Sequence, residues 1–375
     1  MTSTLAHTPM FDWHAAHGGR MVDFAGWSMP LQYRSIVTEH MATRTAAGVF
    51  DISHMGRLRF DGDGAAEFLD SLLTRRVGDM TSGQIRYSLM CSADGGILDD
   101  VLVYRIEDAG GVPHYWLVVN AGNRAKIVDW INGRLEGVAD VEFSDLTETT
   151  AMIAVQGPAA LDILRPLVKH DAAEMKYYTG CETEFASHDA LLSRTGYTGE
   201  DGAELIVPAA AGEHVWSAIL EQGKAAGAIA AGLGCRDTLR LEAAMPLYGH
   251  ELSEQINPFQ AGLGFAVNLK DRSFVGSDAL ARLKEDSTGS DSTGPRRIGL
   301  EMEGKRAARE HCRIFVGEQS IGKVTSGSYS PTLEKSIAMG YVAPQHVEPG
   351  TEVMIDVRGK MQAARVVKMP FYRRG

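Results

Sequence analysis

Two adjacent carboxylates, Asp99 and Asp100, follow a Gly-Gly turn at the start of the strand-like run 95–104 (GGILDDVLVY). Because side chains alternate across a strand, we expect the two carboxylates to point to opposite faces. A carboxylate held near the interior or a cleft can serve as an acid, a base or an electrostatic stabiliser. A polar turn that carries two solvated acids is the competing interpretation. The motif therefore offers one catalytic carboxylate, and its spacing alone does not say which.

A second acidic segment lies at residues 194–202 (RTGYTGEDG), where three glycines allow a sharp turn between two strand-like runs. Glu200 and Asp201 lie at this turn. A carboxylate here could accept paired N–H donors from a flat, guanidine-like ligand edge, and such two-point hydrogen bonding is strong and directional. An ordinary hairpin with acidic tips is the alternative interpretation.

Arg236 is a third candidate, because it precedes Asp237, the predicted N-cap of a helix over residues 238–244. An arginine beside a helix N-terminus suits a carboxylate ligand. A salt bridge to Asp237 or another acid is the alternative. Together the three segments would provide a catalytic carboxylate, a carboxylate for a polar ring edge and an arginine for an anionic tail. A reduced folate has the complementary parts: a pterin with an amidine-like edge, a reactive nitrogen and a glutamate tail.

The elements that must position these groups mix helix and strand patterns, which indicates an α+β body. The β-rich runs 101–106 and 115–119 are joined by a Gly-containing loop and predict an antiparallel pair. A helix is predicted from Gly157-Pro158 to residue 168, with Pro at the first helical position. Further predicted elements are strands at 152–155, 191–194 and 203–207 and a helix at 213–226.

A polar, Gly/Ser-rich stretch at residues 286–296 predicts a linker, because it cannot bury apolar surface. It separates a body at residues 1–285 from a tail domain at residues 297–375. Short strand-like runs with Gly and Pro between them predict a small barrel or sandwich in the tail. The predicted fold class is therefore α+β, followed by an all-β domain.

Composition limits the classes of partner. The net charge is −11 over 375 residues. Phosphate binding needs clustered Lys and Arg, so we expect no nucleic-acid partner. No apolar run reaches the roughly 18 residues that cross a bilayer. No basic segment followed by an apolar one marks a signal peptide. We therefore expect a cytoplasmic protein that does not associate with membranes.

Motifs for common cofactors are also missing from the sequence. No Gly-x-Gly-x-x-Gly follows a strand, and there is no P-loop and no His-Glu-x-x-His. His14 and His17 lie three apart without a second ligand pair, and the four cysteines are far apart. These observations disfavour a flavin, a nicotinamide, ATP and catalytic zinc, and we expect no metal site and inert thiols.

Several motifs occur in a fixed order along the chain. They lie at residues 24–33 (FAGWSMPLQY), 48–56 (GVFDISHMG), 95–100, 155–158 (VQGP), 196–202, 236–242 (RDTLRLE), 340–342 (GYV) and 367–372 (VKMPFY). This set resembles the aminomethyltransferase (T-protein) family of the glycine cleavage system over roughly residues 9 to 373. The resemblance implies a three-domain cloverleaf around a central folate cavity. Two α+β domains would share the body, and the C-terminal β-barrel or sandwich would be the third.

The resemblance also implies a reaction and its partners. An aminomethyl group carried on lipoylated H-protein would give its methylene unit to tetrahydrofolate, and ammonia would be released. Tetrahydrofolate would be the cosubstrate, with no metal involved.

Site residues follow from the same resemblance. Asp100 matches the key aspartate of the family and is preferred to Asp99, Glu200 is the implied partner of the pterin edge, and Arg236 that of the glutamate tail. Many family members carry Trp at the position of Phe265, where a stacking role remains but an indole N–H donor does not. Further residues implied to line the cavity are Tyr87, Asn120, Tyr197, Tyr248 and Arg373.

Two alternatives remain open on the sequence. One is a folate-dependent demethylation module that accepts formaldehyde equivalents from sarcosine or dimethylglycine oxidation, which would need a separate flavin partner here. The other is a non-catalytic folate-binding sensor or accessory protein. The presence of both Asp99 and Asp100 weighs against a protein without catalytic function.

Overall fold

A two-stranded hairpin, two open sheets and a closed six-stranded barrel form the framework of the protein. The computed structural model describes residues 4–108, 110–288 and 294–375. The first elements in chain order are α1 (Phe11–Ala16), β1 (Met21–Phe24), β2 (Trp27–Pro30), α2 (Ile36–Thr45), β3 (Gly48–Asp51), β4 (Gly56–Asp61), α3 (Ala65–Leu72), β5 (Ile85–Cys91), β6 (Ile97–Glu107), β7 (Pro113–Val119), α4 (Arg124–Leu135) and β8 (Glu142–Asp145). They are followed by β9 (Thr150–Gln156), α5 (Ala160–Leu164), β10 (Gly180–Phe185), β11 (His188–Ser193), β12 (Gly202–Pro208), α6 (Gly212–Gly223), β13 (Ile229–Ala230), α7 (Leu233–Glu242) and α8 (Ser277–Thr288). The barrel strands are β14 (Arg296–Met302), β15 (Arg313–Val316), β16 (Gln319–Ser330), β17 (Lys335–Val342), β18 (Glu352–Val357) and β19 (Lys360–Val367).

The five-stranded sheet has the strand order β5-β6-β7-β4-β8. The antiparallel pairing of β6 with β7 confirms the pair predicted at residues 101–106 and 115–119. In α3 the buried residues Phe68, Leu69 and Leu72 recur at helical spacing, so one face of the helix packs on this sheet. Helix α4 packs on the same core.

The six-stranded sheet has the order β10-β11-β12-β9-β3-β13 and is antiparallel except at the β3–β13 pair. Helices α5 and α6 cover one face, where Trp216 is fully buried. The other face meets the five-stranded sheet in an apolar layer that contains Phe50, Tyr104, Trp116 and Met152. The two sheets therefore share one core, which fixes the position of β6 relative to β12.

The tail domain is a closed barrel with the strand order β14-β17-β16-β15-β18-β19. Its interior is filled by alternating apolar residues such as Leu300, Val324 and Ile355. Leu241 of α7 packs against Ile337 and Met339 of β17, so the barrel is held against the body. The predicted α+β class is confirmed, and of the two forms predicted for the tail, a barrel or a sandwich, the structure shows the barrel.

Helix α7 corrects one prediction. It begins at Leu233, with Gly232 as N-cap, and not at residue 238. Asp237 lies inside the helix, and its carboxylate accepts a hydrogen bond from Arg240 Nε at 2.8 Å. The early start depends on a close approach: a Cβ on Gly232 would lie 2.4 Å from the Leu31 carbonyl oxygen. The sequence could not show this contact between distant segments.

Two further boundaries differ from the predictions. Helix α5 covers only Ala160–Leu164 of the predicted 157–168. Gly157 has a φ of +134° and therefore lies outside the helix, and residues 165–167 form a turn. Helix α8 extends to Thr288, so the first residues of the predicted linker are helical. Strand β14 begins at Arg296, which is the last residue of that linker. Residues 289–293 of that linker lie outside the described residues.

Candidate active site

A cavity of about 1280 Å³ lies where the body meets the barrel. Several parts of the fold contribute to the wall of the cavity. Phe24 comes from the hairpin, Asp100 from β6, Arg236 from α7 and Arg297 from β14. The cavity is therefore complete only when the sheets, the hairpin and the barrel are all in place.

Asp100 faces this cavity, whereas Asp99 on the opposite face of β6 is fully buried, as the strand alternation predicts. The Asp100 carboxylate accepts hydrogen bonds from Tyr87 Oη at 3.1 Å and from Asn120 Nδ2 at 2.8 Å. The same Asn120 amide also donates to Asp99 Oδ1 at 2.8 Å. Asn123 Nδ2 adds a further hydrogen bond to Asp99 at 2.6 Å. One amide thus bridges the two carboxylates and fixes their orientation.

Both carboxylates have altered proton affinities. Burial raises the pKa of Asp100 above its usual range, although hydrogen bonds from Tyr87 and Asn120 act in the opposite direction. Burial and the Asp100 charge raise the pKa of Asp99. Because two interacting carboxyl groups titrate as a pair, their pKa values belong to the pair. Such a pair can take up and release a proton near neutral pH, which suits general acid–base catalysis.

A second polar region of the wall combines Glu204 of β12 with Arg236 of α7. Glu204 is only 5% exposed and accepts a hydrogen bond from Thr195. The Arg236 guanidinium stacks over the Tyr197 ring at 4.7 Å, and its buried Nη1 has no hydrogen-bond partner among the described residues. Burial raises the pKa of Glu204 and lowers that of Arg236. Both groups therefore have hydrogen-bonding capacity that a ligand could satisfy.

His54 lies in the same wall. Burial and the Arg236 charge lower the pKa of His54 to about 3, so its imidazole is neutral. Its Nδ1 is buried and has no hydrogen-bond partner in the described part of the chain. The sequence did not indicate His54, because a single histidine without a second ligand or a nucleophile at a fixed spacing carries no signal.

Glu200 is not in the cavity wall. Its Oε1 accepts hydrogen bonds from Arg44 Nη1 at 2.9 Å and from Tyr372 Oη at 2.8 Å. The turn points Glu200 towards α2, and the carboxylate that faces the cavity is Glu204, further along the same segment. A charged residue inside the apolar run 203–207 (AELIV) was the available signal, because an unpaired charge is rarely buried in such a strand.

Of the other residues predicted to line the cavity, all but one do so. Arg373 is exposed and does not line the cavity. The predicted residues that do line it, besides Asp100 and Arg236, are Tyr87, Asn120, Tyr197, Tyr248 and Phe265.

Tyr87 and Phe265 form an aromatic pair at one mouth of the cavity. Their rings are nearly parallel, with centroids 6.1 Å apart. Phe265 is 65% exposed, so the cavity opens to solvent there, one ring away from the hydroxyl that binds Asp100. An aromatic ligand ring could stack at this mouth.

Arg297 was missed by the sequence analysis, because only the barrel brings it to the cavity. Its charge lowers the pKa of both Asp100 and Tyr87 relative to burial alone. The Nε atom is buried and has no hydrogen-bond partner within residues 4–108, 110–288 and 294–375.

No set of three or more His, Cys, Asp or Glu side chains within the described residues is arranged to hold a metal ion. Across that same part of the chain, none of the helices has the length and apolar character that crossing a bilayer requires.

Known proteins resemble this chain in sequence and in fold. The family model described as the GCVT N-terminal domain matches residues 10–271, and the glycine cleavage T-protein C-terminal barrel domain matches residues 296–373. An aminomethyltransferase of Streptomyces coelicolor is 47% identical, with 100% of both chains covered. One from Symbiobacterium thermophilum is 44% identical, covering 100% of this chain and 99% of the relative. The crystal structure of the glycine cleavage system aminomethyltransferase T from Bartonella henselae matches with a TM-score of 0.90 at 32% identity, covering 98% of each chain.

The chain belongs to the glycine cleavage T-protein family, whose two family models together match most of its length. It is an enzyme of the aminomethyltransferase class, a transferase that acts with tetrahydrofolate. The family, the activity and the cloverleaf fold that the sequence resemblance implied are therefore confirmed.

Proposed function

We propose that the cavity binds tetrahydrofolate with its reactive nitrogens at Asp100, and that Asp100 is the catalytic carboxylate. The observation that carries this proposal is the orientation of Asp100, which faces the cavity while Tyr87 and Asn120 hold it in place. A carboxylate in that position can orient the folate nitrogens, accept a proton and stabilise positive charge at the transferred carbon.

Glu204 and Arg236 are suited to the pterin ring. The Glu204 carboxylate can accept N–H donors from the amidine-like edge, and the free Nη1 of Arg236 can donate to a ring carbonyl. This proposal moves the pterin-edge role from Glu200 to Glu204. It also moves Arg236 from the glutamate tail to the ring, because its guanidinium lies beside buried Glu204 and not at the mouth near Phe265.

The chemistry balances with these groups. The donor carries a methylene between a sulfur and an amino nitrogen. Loss of one substituent gives an iminium-like carbon that a folate nitrogen attacks, and the second folate nitrogen displaces the other substituent. Two new C–N bonds replace one C–S and one C–N bond, and the two folate N–H protons leave with the thiol and the ammonia. Holding both reactants in one cavity supplies much of the acceleration.

The partner that delivers this donor is proposed to be lipoylated H-protein. A second mouth of the cavity lies between the hairpin and α2 and is lined by Val22, Phe24, Ile36 and Val37. Val37 is 54% exposed although it is apolar. An apolar entrance fits the aliphatic chain of a lipoyl arm, because burying that chain against these side chains is favourable. The mouth at Phe265 would remain free for folate.

The test combines the protein with tetrahydrofolate, lipoylated H-protein, glycine and the decarboxylase partner, and measures ammonia release. Asp100→Asn should lower kcat by about 10²- to 10⁴-fold, the usual contribution of a general acid or base. Its affinity for tetrahydrofolate should remain within a few-fold. Asp189→Asn, an exposed aspartate outside the cavity wall, is the matched control and should keep normal turnover.

Other outcomes would favour other assignments. Normal turnover by Asp100→Asn would remove the catalytic role of Asp100. Folate binding without ammonia release by the natural sequence would indicate the non-catalytic accessory protein. Methylene transfer from a sarcosine- or dimethylglycine-oxidising partner, with no transfer from H-protein, would indicate the demethylation module.

A further inference from the structure

One histidine of the cavity wall is buried, and its ring makes no hydrogen bond to any residue that the structure describes. The Nδ1 atom of His54 is buried without a partner, and its Nε2 has none among those residues either. Buried polar atoms of folded proteins are nearly always hydrogen-bonded, so an exception needs a physical reason. A ligand in the cavity could supply the missing partner.

The backbone on both sides of His54 is held by buried hydrogen bonds. The Arg57 guanidinium is fully buried and donates to the carbonyl oxygens of Ser53 and Met55, the two neighbours of His54. Ser53 Oγ donates to the Met152 carbonyl at 3.2 Å and accepts from the Met152 amide at 2.9 Å. These contacts fix the turn between β3 and β4 from which the imidazole projects. Such support by surrounding residues is what a group needs if it is to meet a ligand in a defined geometry.

His54 adjoins two parts of the cavity that have different proposed ligands. Its ring meets the Phe24 ring edge-on, with centroids 5.4 Å apart, and Phe24 lines the second mouth, which is proposed for the lipoyl arm. The Arg236 charge acts on the same imidazole, and Arg236 is proposed to bind the pterin ring. The transferred carbon passes from the arm to folate where these two parts join. Because the lipoyl sulfur is bonded to that carbon, we expect the sulfur beside His54.

The charges around His54 make it a hydrogen-bond donor and not a base. Burial and the charges of Arg236 and Arg57 lower the pKa of His54 to about 3, although the Asp51 charge acts in the opposite direction. A neutral imidazole keeps one N–H, and nearby cations strengthen this donor while they weaken the lone pair as an acceptor. His54 is therefore unsuited to accept the folate protons at neutral pH. It is suited to stabilise negative charge that develops during the reaction.

We propose that the His54 N–H donates a hydrogen bond to the lipoyl sulfur as the C–S bond breaks, so that His54 is a catalytic residue that acts on the leaving group. This inference rests on the proposed function. In the step, the lone pair of the amino nitrogen forms the C=N bond of the iminium, and the C–S electron pair goes to sulfur, which becomes a thiolate. His54 keeps its proton throughout. A folate N–H proton later neutralises the thiolate, so the thiol and ammonia remain the products.

The experiment measures single-turnover formation of methylenetetrahydrofolate from H-protein whose reduced lipoyl arm has been loaded with formaldehyde and ammonia. His54→Leu should lower the rate by about 10²- to 10³-fold, the usual effect of removing one donor from a developing negative charge. His54→Gln keeps an N–H donor and should recover most of that loss. Both variants should keep nearly the natural affinity for tetrahydrofolate. His114→Leu changes another buried histidine, which does not line the cavity, and should keep the normal rate.

A selenium analogue of the lipoyl arm separates this role from a structural one. A selenolate is a weaker base and a better leaving group than a thiolate, so it needs less stabilisation. With selenium in place of the reacting sulfur, the loss in His54→Leu should shrink to less than about tenfold, whereas a distorted cavity would slow both donors equally. His54→Met is the apolar variant to use if His54→Leu does not fold.

Failure of this inference and failure of the proposed function give different results. A rate for the apolar variant within about twofold of the natural rate, or equal losses with sulfur and selenium, would overturn the role of His54 and leave the assignment of Asp100 intact. A large loss of folate affinity in that variant would also overturn it, because the imidazole would then act on folate. A natural sequence that forms no product from loaded H-protein would overturn the proposed function itself.

Discussion

Two buried glutamates close together in the chain have different environments. Glu204 accepts a hydrogen bond from Thr195 and borders the cavity, so it remains available to a ligand. Glu200 is paired with the Arg44 guanidinium and the Tyr372 hydroxyl. We therefore expect Glu204 to act on ligand binding and Glu200 to act on stability.

The matched substitutions Glu204→Gln and Glu200→Gln test this division. Loss of a charge-assisted hydrogen bond of about 1.5–3 kcal/mol should weaken tetrahydrofolate binding by about 10- to 100-fold in Glu204→Gln. Glu200→Gln should change the dissociation constant by less than about twofold and should lower Tm, because it disrupts a buried ion pair. Calorimetric titration and thermal unfolding measure the two effects. A larger loss of affinity in Glu200→Gln would restore the prediction made from the sequence.

The coupled carboxylates lead to a pH prediction. Burial raises the pKa of Asp100, so activity that needs its ionised form is lost as pH falls through a value above that of an ordinary aspartate. Asp99→Asn removes the adjacent negative charge and should move the acidic limb of kcat/KM to lower pH. Asp94→Asn, an exposed aspartate in the preceding turn, should leave the limb in place. Superimposable profiles for the natural sequence and Asp99→Asn would contradict the coupling.

At the scale of single residues, the sequence predicted what depends on local pattern. The alternation along β6 is a local property, and it placed Asp99 and Asp100 on opposite faces. The sequence could not predict Arg297 or exclude Glu200, because both outcomes depend on contacts between distant segments. Arg297 reaches the cavity only through the barrel, and Glu200 is drawn outwards by Arg44.

At the scale of elements, local periodicity predicted the strand pairs, and close approaches between segments decided the boundaries that were missed. Helix α7 starts early because Gly232 allows the Leu31 backbone to approach. That contact also places the end of the hairpin beside α2 and α7, where the second mouth opens.

Val37→Asp tests the role of this mouth. A carboxylate on the apolar entrance must lose water when the lipoyl arm binds, so KM for lipoylated H-protein should rise by about tenfold. The affinity for tetrahydrofolate should not change, because folate is proposed to enter at Phe265. Val112→Asp is the matched control, since Val112 is 61% exposed and does not line the cavity. Equal KM values for the two variants would place the entrance elsewhere.

At the scale of the whole molecule, a buried ionic cluster joins the body to the barrel. Arg44 of α2 pairs with Glu200 at 2.9 Å and with Glu242 of α7 at 2.8 Å. Glu242 also accepts hydrogen bonds from Ser330 Oγ and the Thr332 amide at the barrel edge. Burial opposes its ionisation, but His40, Ser330 and the Arg44 charge together lower the pKa of Glu242 to about 2. Glu242 is therefore ionised at neutral pH.

Arg44→Met should decrease the free energy of unfolding by about 3–5 kcal/mol at neutral pH, because two buried carboxylates lose their partner. Arg59→Met removes a half-exposed partner of Asp61 and should cost less than about 1 kcal/mol. Urea unfolding measures both values. Because the pKa of Glu242 is lowered, its contribution should be present at neutral pH and decrease as pH falls towards about 2. A cost for Arg44→Met no larger than that for Arg59→Met would contradict a stabilising cluster.

The arrangement of the two α+β domains and the barrel around one cavity was predictable only through the family resemblance. Strand patterns indicated a barrel, but no local pattern indicates that Leu241 packs on Ile337 and Met339. The domain limits at residues 1–285 and 297–375 remain a proposal, which limited proteolysis near the segment between them can test.

Because the body and the barrel share the wall of the cavity, a bound ligand should also stabilise the association of these two parts. Separation of the barrel removes Arg297 from the wall, so an opened molecule would lose part of the wall that is proposed to hold folate. By mass action, ligand at about a hundred times its dissociation constant adds about 2.7 kcal/mol to the closed state. The cellular folate supply should therefore govern how long each copy of the enzyme survives proteases, as well as how fast it works.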